Sequence, residues 1–327
     1  MDSVRIGMIG CGGNARWHLS QLAGVGEARV VGLADPDPAQ IEQCRRENAH
    51  LADVQAFSSH TEMLAVVEMD AVEISTPHTQ HIGQIRDAFA RGLHVMCEKP
   101  LATTTTDAQA AIDARDQAGR VGLLGYQRHF QHEFRTIRER ITSGASGKVL
   151  FVSALQCQEW KRLTAGTWRQ NPALSGGGQL NDSGSHLLDV LLWATGLHPV
   201  SVAAHTDYRG TPVDINSTLN VRFACGALGS VSVVGDAHRW HEDFTVWCEK
   251  ESYFLRDGKL TIVGEDGERR EEPTDAASSS PDRNFVDAIL GRAEVGSTFE
   301  AGLAVIRLTE AAWRSAGNGG APVSVRG

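Results

Sequence analysis

Short apolar runs alternate with amphipathic stretches over the first 125 or so residues of the chain. Val4 to Ile9, Arg29 to Ala34, Ala71 to Ser75, His94 to Cys97 and Val121 to Leu124 are mostly unbroken apolar runs of strand length. Such runs fit strands buried on both faces. Between them, Asn14 to Ala23, Pro38 to Asn48, Gln80 to Ala90 and Asp107 to Ala118 have helical patterns. Strands and helices in this rhythm predict βαβ units and a parallel sheet.

After Tyr126 the rhythm changes. Phe134 to Ile141 reads as a crossover helix. It is followed by longer strands at Lys148 to Gln156, Val200 to Thr206, Ser217 to Phe223, Gly229 to Val234, Phe244 to Cys248 and Leu260 to Val263. Asp257-Gly258 and Asp266-Gly267 mark hairpin turns. Leu187 to Trp193 and Phe299 to Ser315 read as helices, and Glu271 to Pro281, rich in Ser, Asp and Pro, as an exposed loop. The expected class is α/β plus α+β. An N-terminal domain over 1–125 carries the parallel sheet, and a C-terminal domain over 126–327 carries a large, mostly antiparallel one.

Composition narrows the function classes. A net charge of -9 argues against nucleic acid, whose phosphates call for a basic face. No apolar window approaches membrane-spanning length, and the N-terminus shows no signal-peptide pattern. Six scattered cysteines without a C-x-x-C pair predict a reduced, cytoplasmic protein with no structural metal.

Three constellations carry the chemistry. Gly10-Cys11-Gly12-Gly13-Asn14-Ala15 fits G-x-G-x-x-A between a strand and a helix, a dinucleotide loop in which glycines admit pyrophosphate and the helix N-terminus faces it. Asp35, at the end of the second strand and twenty residues after Ala15, is placed to accept hydrogen bonds from the adenosine ribose. Its charge disfavours a 2′-phosphate, so NAD is preferred over NADP. Glu98-Lys99-Pro100 follows the fourth predicted strand, at the carboxyl end where open α/β sheets bind ligands. Only five of the thirty-one Lys and Arg residues are lysines, so Lys99 is not part of a lysine-rich surface. Gly176 to Gly178 precede Asp182 and His186, which are four apart, share a face on a helical turn, and suit an oriented general base. The glycine run suggests close backbone approach to something. Asp189, one turn on, reads as a structural partner. His238 to Glu242, dense in polar and aromatic groups, reads equally as a segment that reaches the pocket, a rim loop or an oligomer contact.

In this order and spacing, together with Thr76-Pro77-His78-Thr79-Gln80-His81, these motifs resemble the Gfo/Idh/MocA oxidoreductase family over nearly the whole chain. The resemblance implies a Rossmann domain followed by a domain with a broad antiparallel sheet, through which members pair as a homodimer or homotetramer. It implies that Lys99 contacts both nicotinamide and the reacting hydroxyl, that Glu98 lies near the nicotinamide ribose, that His186 is the acid/base and that Asp182 is its orienting or substrate-binding partner. Thr76, Pro77, His78 and His81 would line the cofactor, with His78 standing where the family commonly has Asn. Tyr126, His129, Trp168 and Arg169 join Lys99, Asp182 and His186 as substrate-binding candidates. Trp247 to Glu251 lacks a glycine that many relatives carry, so that strand connection is expected to differ.

The implied activity is NAD-dependent hydride transfer at a secondary hydroxyl of a sugar, cyclitol or derivative. The alternatives are an NAD-using glycoside-modifying enzyme, a carbonyl or imine reductase, and a non-catalytic NAD-sensing regulator. The regulator would lack the lysine and histidine that are present here.

Overall fold

A computed structural model describes residues 3–273 and 279–325. The chain forms two compact units. The first comprises Met1–Ala102, Thr106–Gln127 and Ser279–Gly302, and the second comprises Thr103–Thr105, Arg128–Ser278 and Leu303–Gly327. A division at residue 126 would leave 279–302 in the second domain, whereas these residues pack into the first.

In the first unit, β1 (Val4–Ile9), β2 (Ala28–Ala34), β3 (Gln55–Phe57), β4 (Ala71–Ile74), β5 (His94–Cys97) and β6 (Gly122–Leu124) form one parallel sheet in the order β3-β2-β1-β4-β5-β6. The order reverses between β1 and β4, and the crevice beyond the carboxyl ends of strands at such a point is where doubly wound sheets bind ligands. Helices α1 (Gly13–Leu22), α2 (Pro38–Glu47), α3 (His60–Val66), α4 (His81–Ala90) and α5 (Thr105–Ala118) follow successive strands. The central strands bury Val4, Ile6, Met8, Val72, Ile74 and Val95 almost completely, which explains their unbroken apolar runs. The apolar face of α1 is Ala15, Leu19 and Leu22, with His18 lying in the same stripe.

The second unit begins with α6 (His132–Thr142) and is built on a nine-stranded sheet. Its strands are β7 (Val149–Cys157), β8 (Pro199–Asp207), β9 (Asn216–Phe223), β10 (Leu228–Val234), β11 (His241–Cys248), β12 (Glu251–Arg256), β13 (Lys259–Gly264), β14 (Arg269–Glu271) and β15 (Val323–Ser324), in the order β14-β13-β12-β11-β7-β10-β9-β8-β15. Among the described residues of this sheet, only β7 and β10 pair in parallel. Short helices α7 (Trp160–Leu163) and α8 (Pro172–Ser175) lead to α9 (Gly184–Thr195), which packs beside α6 on one face of the sheet. Inward residues alternate along the strands, so Leu219 and Val221 of β9 and Phe244 and Val246 of β11 fill the buried face. On the other face Phe151, Leu228 and Trp247 remain exposed, and Trp247 and Leu228 each register with Phe151. Asp257 and Gly258 both have positive φ, the backbone of a tight two-residue hairpin between β12 and β13.

Several elements lie outside the sequence expectation: β3, α3, β12, β14, β15 and the helix α10 (Pro281–Ile289). The loop expected from Glu271 to Pro281 has both end residues in regular elements. Glu271 ends β14 and Pro281 opens α10, while 274–278 lie outside the described residues. The final helix α11 (Phe299–Gly317) starts in the first unit and continues into the second. No helix among the described residues is long and apolar enough to cross a membrane.

Candidate active site

The first unit assembles the dinucleotide motifs at the β1/β4 reversal. Gly10 leaves β1 with φ +86, and a Cβ there would lie 2.8 Å from the Ser75 carbonyl carbon, so only glycine fits this turn. Gly12 and Gly13 differ, since a Cβ on Gly12 meets nothing within 4 Å and one on Gly13 meets only the tip of Arg16 at 3.9 Å. The protein does not need that space for its own packing. Helix α1 then follows Gly12 with no side-chain cap and no acidic residue in its first turn, leaving N–H groups and a partial positive charge for an anion. The loop therefore fits a pyrophosphate.

Asp35 lies just past β2 and is tied to this loop. Its Oδ2 accepts from the Cys11 amide at 2.8 Å and its Oδ1 from the Asp37 amide at 2.8 Å. Its carboxylate is thus fixed in orientation beside the glycine turn, as a ribose acceptor requires.

The loop after β4 is stapled by His81. Its ring contacts the Pro100 carbonyl through Nδ1 at 2.8 Å and the Thr76 carbonyl through Nε2 at 3.0 Å. Burial pushes the His81 pKa down against the pull of those carbonyls. Although expected to line the cofactor, His81 is completely buried between the Thr76 and Pro100 carbonyls. His78 is also buried and packs edge-on to His81 at 5.8 Å, and the Thr76 hydroxyl donates to Gln84 Oε1 at 2.6 Å.

Glu98 and Lys99 leave β5 largely buried. The Glu98 amide donates to the Ile74 carbonyl, extending the β4–β5 pairing by a residue. The Glu98 carboxylate meets the Asn14 amide at 3.4 Å, the Lys99 backbone N–H at 3.2 Å and the His18 Nε2 at 3.0 Å. It thereby joins two predicted cofactor residues to one that was not predicted. Burial opposes its charge, but His18 and Lys99 prevail and hold the carboxyl below its usual range. Tyr126, from the same unit, is fully buried.

The second unit organises the other candidates around Asp182. Asp182 precedes α9 instead of lying on it, and His186 falls in the helix's first turn. The Asp182 Oδ2 accepts from the Trp160 indole at 2.8 Å and from Arg169 Nε at 3.0 Å. The Arg169 guanidinium stacks over Trp168 at 4.5 Å, so Trp160, Trp168, Arg169 and Asp182 form one network. Trp168 also borders an open pocket with Thr167, Asn171 and Pro212.

The glycine run before Asp182 serves internal packing. A Cβ on Gly177 would lie 2.5 Å from the Trp313 ring, and one on Gly178 would lie 2.5 Å from the Asp214 nitrogen. Asp214, which sequence reasoning missed, is buried and accepts from the amides of Gly178 at 3.0 Å and Leu180 at 2.9 Å and from the Trp313 indole at 3.2 Å. Burial nevertheless pushes its carboxyl up.

Two further candidates sit in the core. His129 is buried, contacts Asp189 through Nε2 at 2.9 Å, and stacks on Trp193 at 4.1 Å. Asp189 is thus the structural partner expected, while His129 takes part in core packing. Glu242 forms a buried ion pair with Arg128, and His241 bonds Asp257 at 3.1 Å, so the His238–Glu242 segment ends inside β11. At Trp247–Glu251 the two strands β11 and β12 connect directly through Glu249 and Lys250 without glycine.

Comparison with known proteins adds an independent line. A model of an oxidoreductase family with an NAD-binding Rossmann fold matches residues 4–126. A model of the GFO/IDH/MocA C-terminal domain matches residues 134–267. The chain is 27% identical over 327 residues to the rhizopine catabolism protein MocA of Rhizobium meliloti, covering 95% of each. It is 30% identical over 202 residues to inositol 2-dehydrogenase of Burkholderia multivorans, covering 61% of this chain and 56% of that one. Among solved structures it is similar to the WlbA dehydrogenase of Chromobacterium violaceum in complex with NADH and UDP-GlcNAcA, with a TM-score of 0.87 at 24% identity, covering 99% of this chain and 96% of that one.

Proposed function

Since the chain belongs to the Gfo/Idh/MocA oxidoreductase family, we propose that it is an NAD-dependent dehydrogenase acting on a secondary hydroxyl of a sugar, cyclitol or derivative. The observation that carries this reading is the first unit's cradle. An uncapped helix and open glycines stand at the strand-order reversal, with Asp35 fixed beside them and Glu98-Lys99 at the end of a neighbouring strand. The inositol 2-dehydrogenase relative supports the cyclitol or sugar class.

In this reading Gly12, Gly13 and the first turn of α1 hold the pyrophosphate, and Asp35 accepts from the adenosine ribose hydroxyls. Bound NAD supplies the hydride acceptor. Lys99 donates a hydrogen bond to the reacting oxygen and stabilises charge developing there. His186 accepts the hydroxyl proton at its ring. General acid–base help of this kind is worth about 10²–10⁴-fold. Asp182 ties the Trp168–Arg169 edge to the turn that carries His186, and the Trp168 face suits an apolar side of a ring substrate. Asp35 repels a 2′-phosphate, which favours NAD over NADP.

The exposed sheet face around Phe151, Leu228 and Trp247 supports pairing of two copies as a homodimer or homotetramer, because contiguous exposed apolar groups mark interaction surfaces.

The direct test is a titration of NAD and NADP followed by a screen for NADH release across inositols, aldoses, sugar acids and glycosides. NAD binding at least tenfold tighter than NADP, with NADH released on one of these classes, is expected. Tighter NADP binding would reject the role of Asp35. Turnover without NADH release would replace net oxidation with redox-neutral chemistry.

A further inference from the structure

Four ionisable side chains, Glu98 and three behind it, lie buried together within the first unit. His18, Glu73 and Asp282 are fully inaccessible and Glu98 nearly so. The His18 ring faces the Asp282 Oδ1 through Nδ1 at 2.9 Å and the Glu98 Oε1 through Nε2 at 3.0 Å. A neutral imidazole has one N–H, and an ionised carboxylate only accepts. Two such contacts therefore require one proton more than a neutral ring with two carboxylates can supply. The arrangement is an imidazolium between two carboxylates or its tautomer with the proton on one carboxyl.

The surroundings favour the imidazolium. Asp282 lies in the first turn of α10, behind the Ser280 cap, where a helix N-terminus stabilises negative charge. Burial alone would strip His18 of its proton, but Asp282 and Glu98 outweigh it and raise the ring well above its usual range. Glu73 makes no hydrogen bond through either carboxylate oxygen, and burial together with Asp282 drives its carboxyl up, which favours its neutral form over competition for the ring. Gly125 leaves the space that Glu98 occupies, since a Cβ there would lie 2.9 Å from Glu98 Oε1. Ligand atoms of His18, Glu73 and Asp282 fall within 4.8 Å of one another, a spacing that also suits a metal. A metal bond of about 2.0–2.1 Å to a ring nitrogen would, however, break one of the two contacts the ring already makes.

We propose that His18 is a positioning residue for the cofactor site, gripped at one nitrogen by Asp282 and holding the Glu98 carboxylate, ionised and correctly turned, with the other. Glu98 Oε2 then stays directed at Asn14 Nδ2 and the Lys99 amide. This rests on the reading in which Glu98 lines the nicotinamide end of NAD. The charged and titratable groups facing Glu98 are His18, Lys99, His81, Cys97 and Glu73, and those facing His18 are Asp282, Glu98 and Glu73. Removing the ring's charge should let Glu98 take up a proton at higher pH.

Two measurements on the full chain test this. The first follows the ring nitrogens by NMR in histidine-labelled protein, with His18 assigned by its loss in His18→Gln. Both nitrogens should remain protonated at about pH 8, where an ordinary histidine of pKa about 6.5 is neutral. Glu98→Gln and Asp282→Asn should each lower the midpoint by about one pH unit or more. A ring already neutral at pH 7, an unmoved midpoint in both variants, or displacement of the His18 signal by one equivalent of zinc would overturn the proposal.

The second measures NADH affinity against pH. His18→Gln should move the acid limb up by about one unit, weakening binding about tenfold on that limb, where one unit is a factor of ten. In a Glu98→Gln background the same change should have no further effect. An unchanged limb, or the same loss in both backgrounds, would make His18 merely structural. Wild-type protein that fails to bind NADH would remove the cofactor reading and the positioning role together, while the NMR result would still decide whether the clamp exists.

Discussion

Gly178→Ala separates packing from binding at the glycine-rich turns. The added methyl would sit 2.5 Å from the Asp214 nitrogen and 2.8 Å from its carbonyl carbon, and both are backbone atoms. The Asp214 carbonyl oxygen lies nearer still, and ordinary contact begins at 3.4 Å, so the two segments must part by about 1 Å or more. That movement stretches the two amide bonds to the buried Asp214 carboxylate, from Gly178 and Leu180. Overpacking of this kind costs about 1–3 kcal/mol, and weakening bonds to a charged group adds about 1.5–3 kcal/mol each when they are lost outright. A total near 3 kcal/mol corresponds to a fall in Tm of about 4 °C for a protein of 327 residues. Because Asp182 and His186 follow directly, a displacement of about 1 Å should also cost turnover on the order of 10²-fold. Gly12→Ala is the counterpart. Its methyl meets no protein atom within 4 Å, so the melting temperature should hold while NAD affinity falls at least tenfold. Calorimetry and NADH-fluorescence titration of both variants check this. A Gly178→Ala protein with wild-type Tm, or a Gly12→Ala protein with wild-type affinity, would refute the division of labour.

Three further outcomes are expected. Glu73→Gln should leave thermal stability nearly unchanged, because burial favours the neutral carboxyl that the amide replaces, whereas an ionised Glu73 would make the same change alter the Tm markedly at neutral pH. Hydrogen bonds from Arg140, with Tyr253 and Ser146 adding to them, lower the Glu251 pKa from 4.5 to about 2. This stabilisation is present above pH 4.5 and is lost as pH falls towards about 2, so Glu251→Gln should flatten the acid limb of a melting profile. An unchanged limb would contradict it. Trp247→Glu on the exposed sheet face should lower the mass seen by light scattering from an oligomer to a monomer, and an oligomer that survives the change would place the interface elsewhere.

The parallel sheet was readable because its strands are buried on both faces, so their apolar runs stand out. The glycine loop, Asp35 and Glu98-Lys99 sit at strand ends and inherit that clarity. In contrast, β12 begins with Glu251 and ends with Arg256, and only Tyr253 and Leu255 on its inward face reveal it. Three-residue strands such as β3 carry too few positions to show a period. The least visible features are those that chain distance conceals. His18 left one trace, a polar residue in the apolar stripe of α1. Its partner Asp282 is 264 residues away and Asp214 lies 36 from Gly178, and nothing local links either pair. The glycine run at 176–178 signalled close approach correctly, but the approaching groups are Trp313 and Asp214 of the same unit.

The central claim is hydride transfer to NAD from a ring hydroxyl, polarised by Lys99 and deprotonated by His186. Its most direct test is the initial rate of NADH formation with the best substrate of the screen, for wild type, Lys99→Ala and His186→Asn, alongside NAD affinity for each. The account predicts NADH formation by the wild type, a loss of about 10²-fold or more in each variant, and NAD affinity within a few-fold of wild type. Near-normal turnover in both variants, or no NADH from any cyclitol or sugar by wild-type protein that binds NAD, would contradict it.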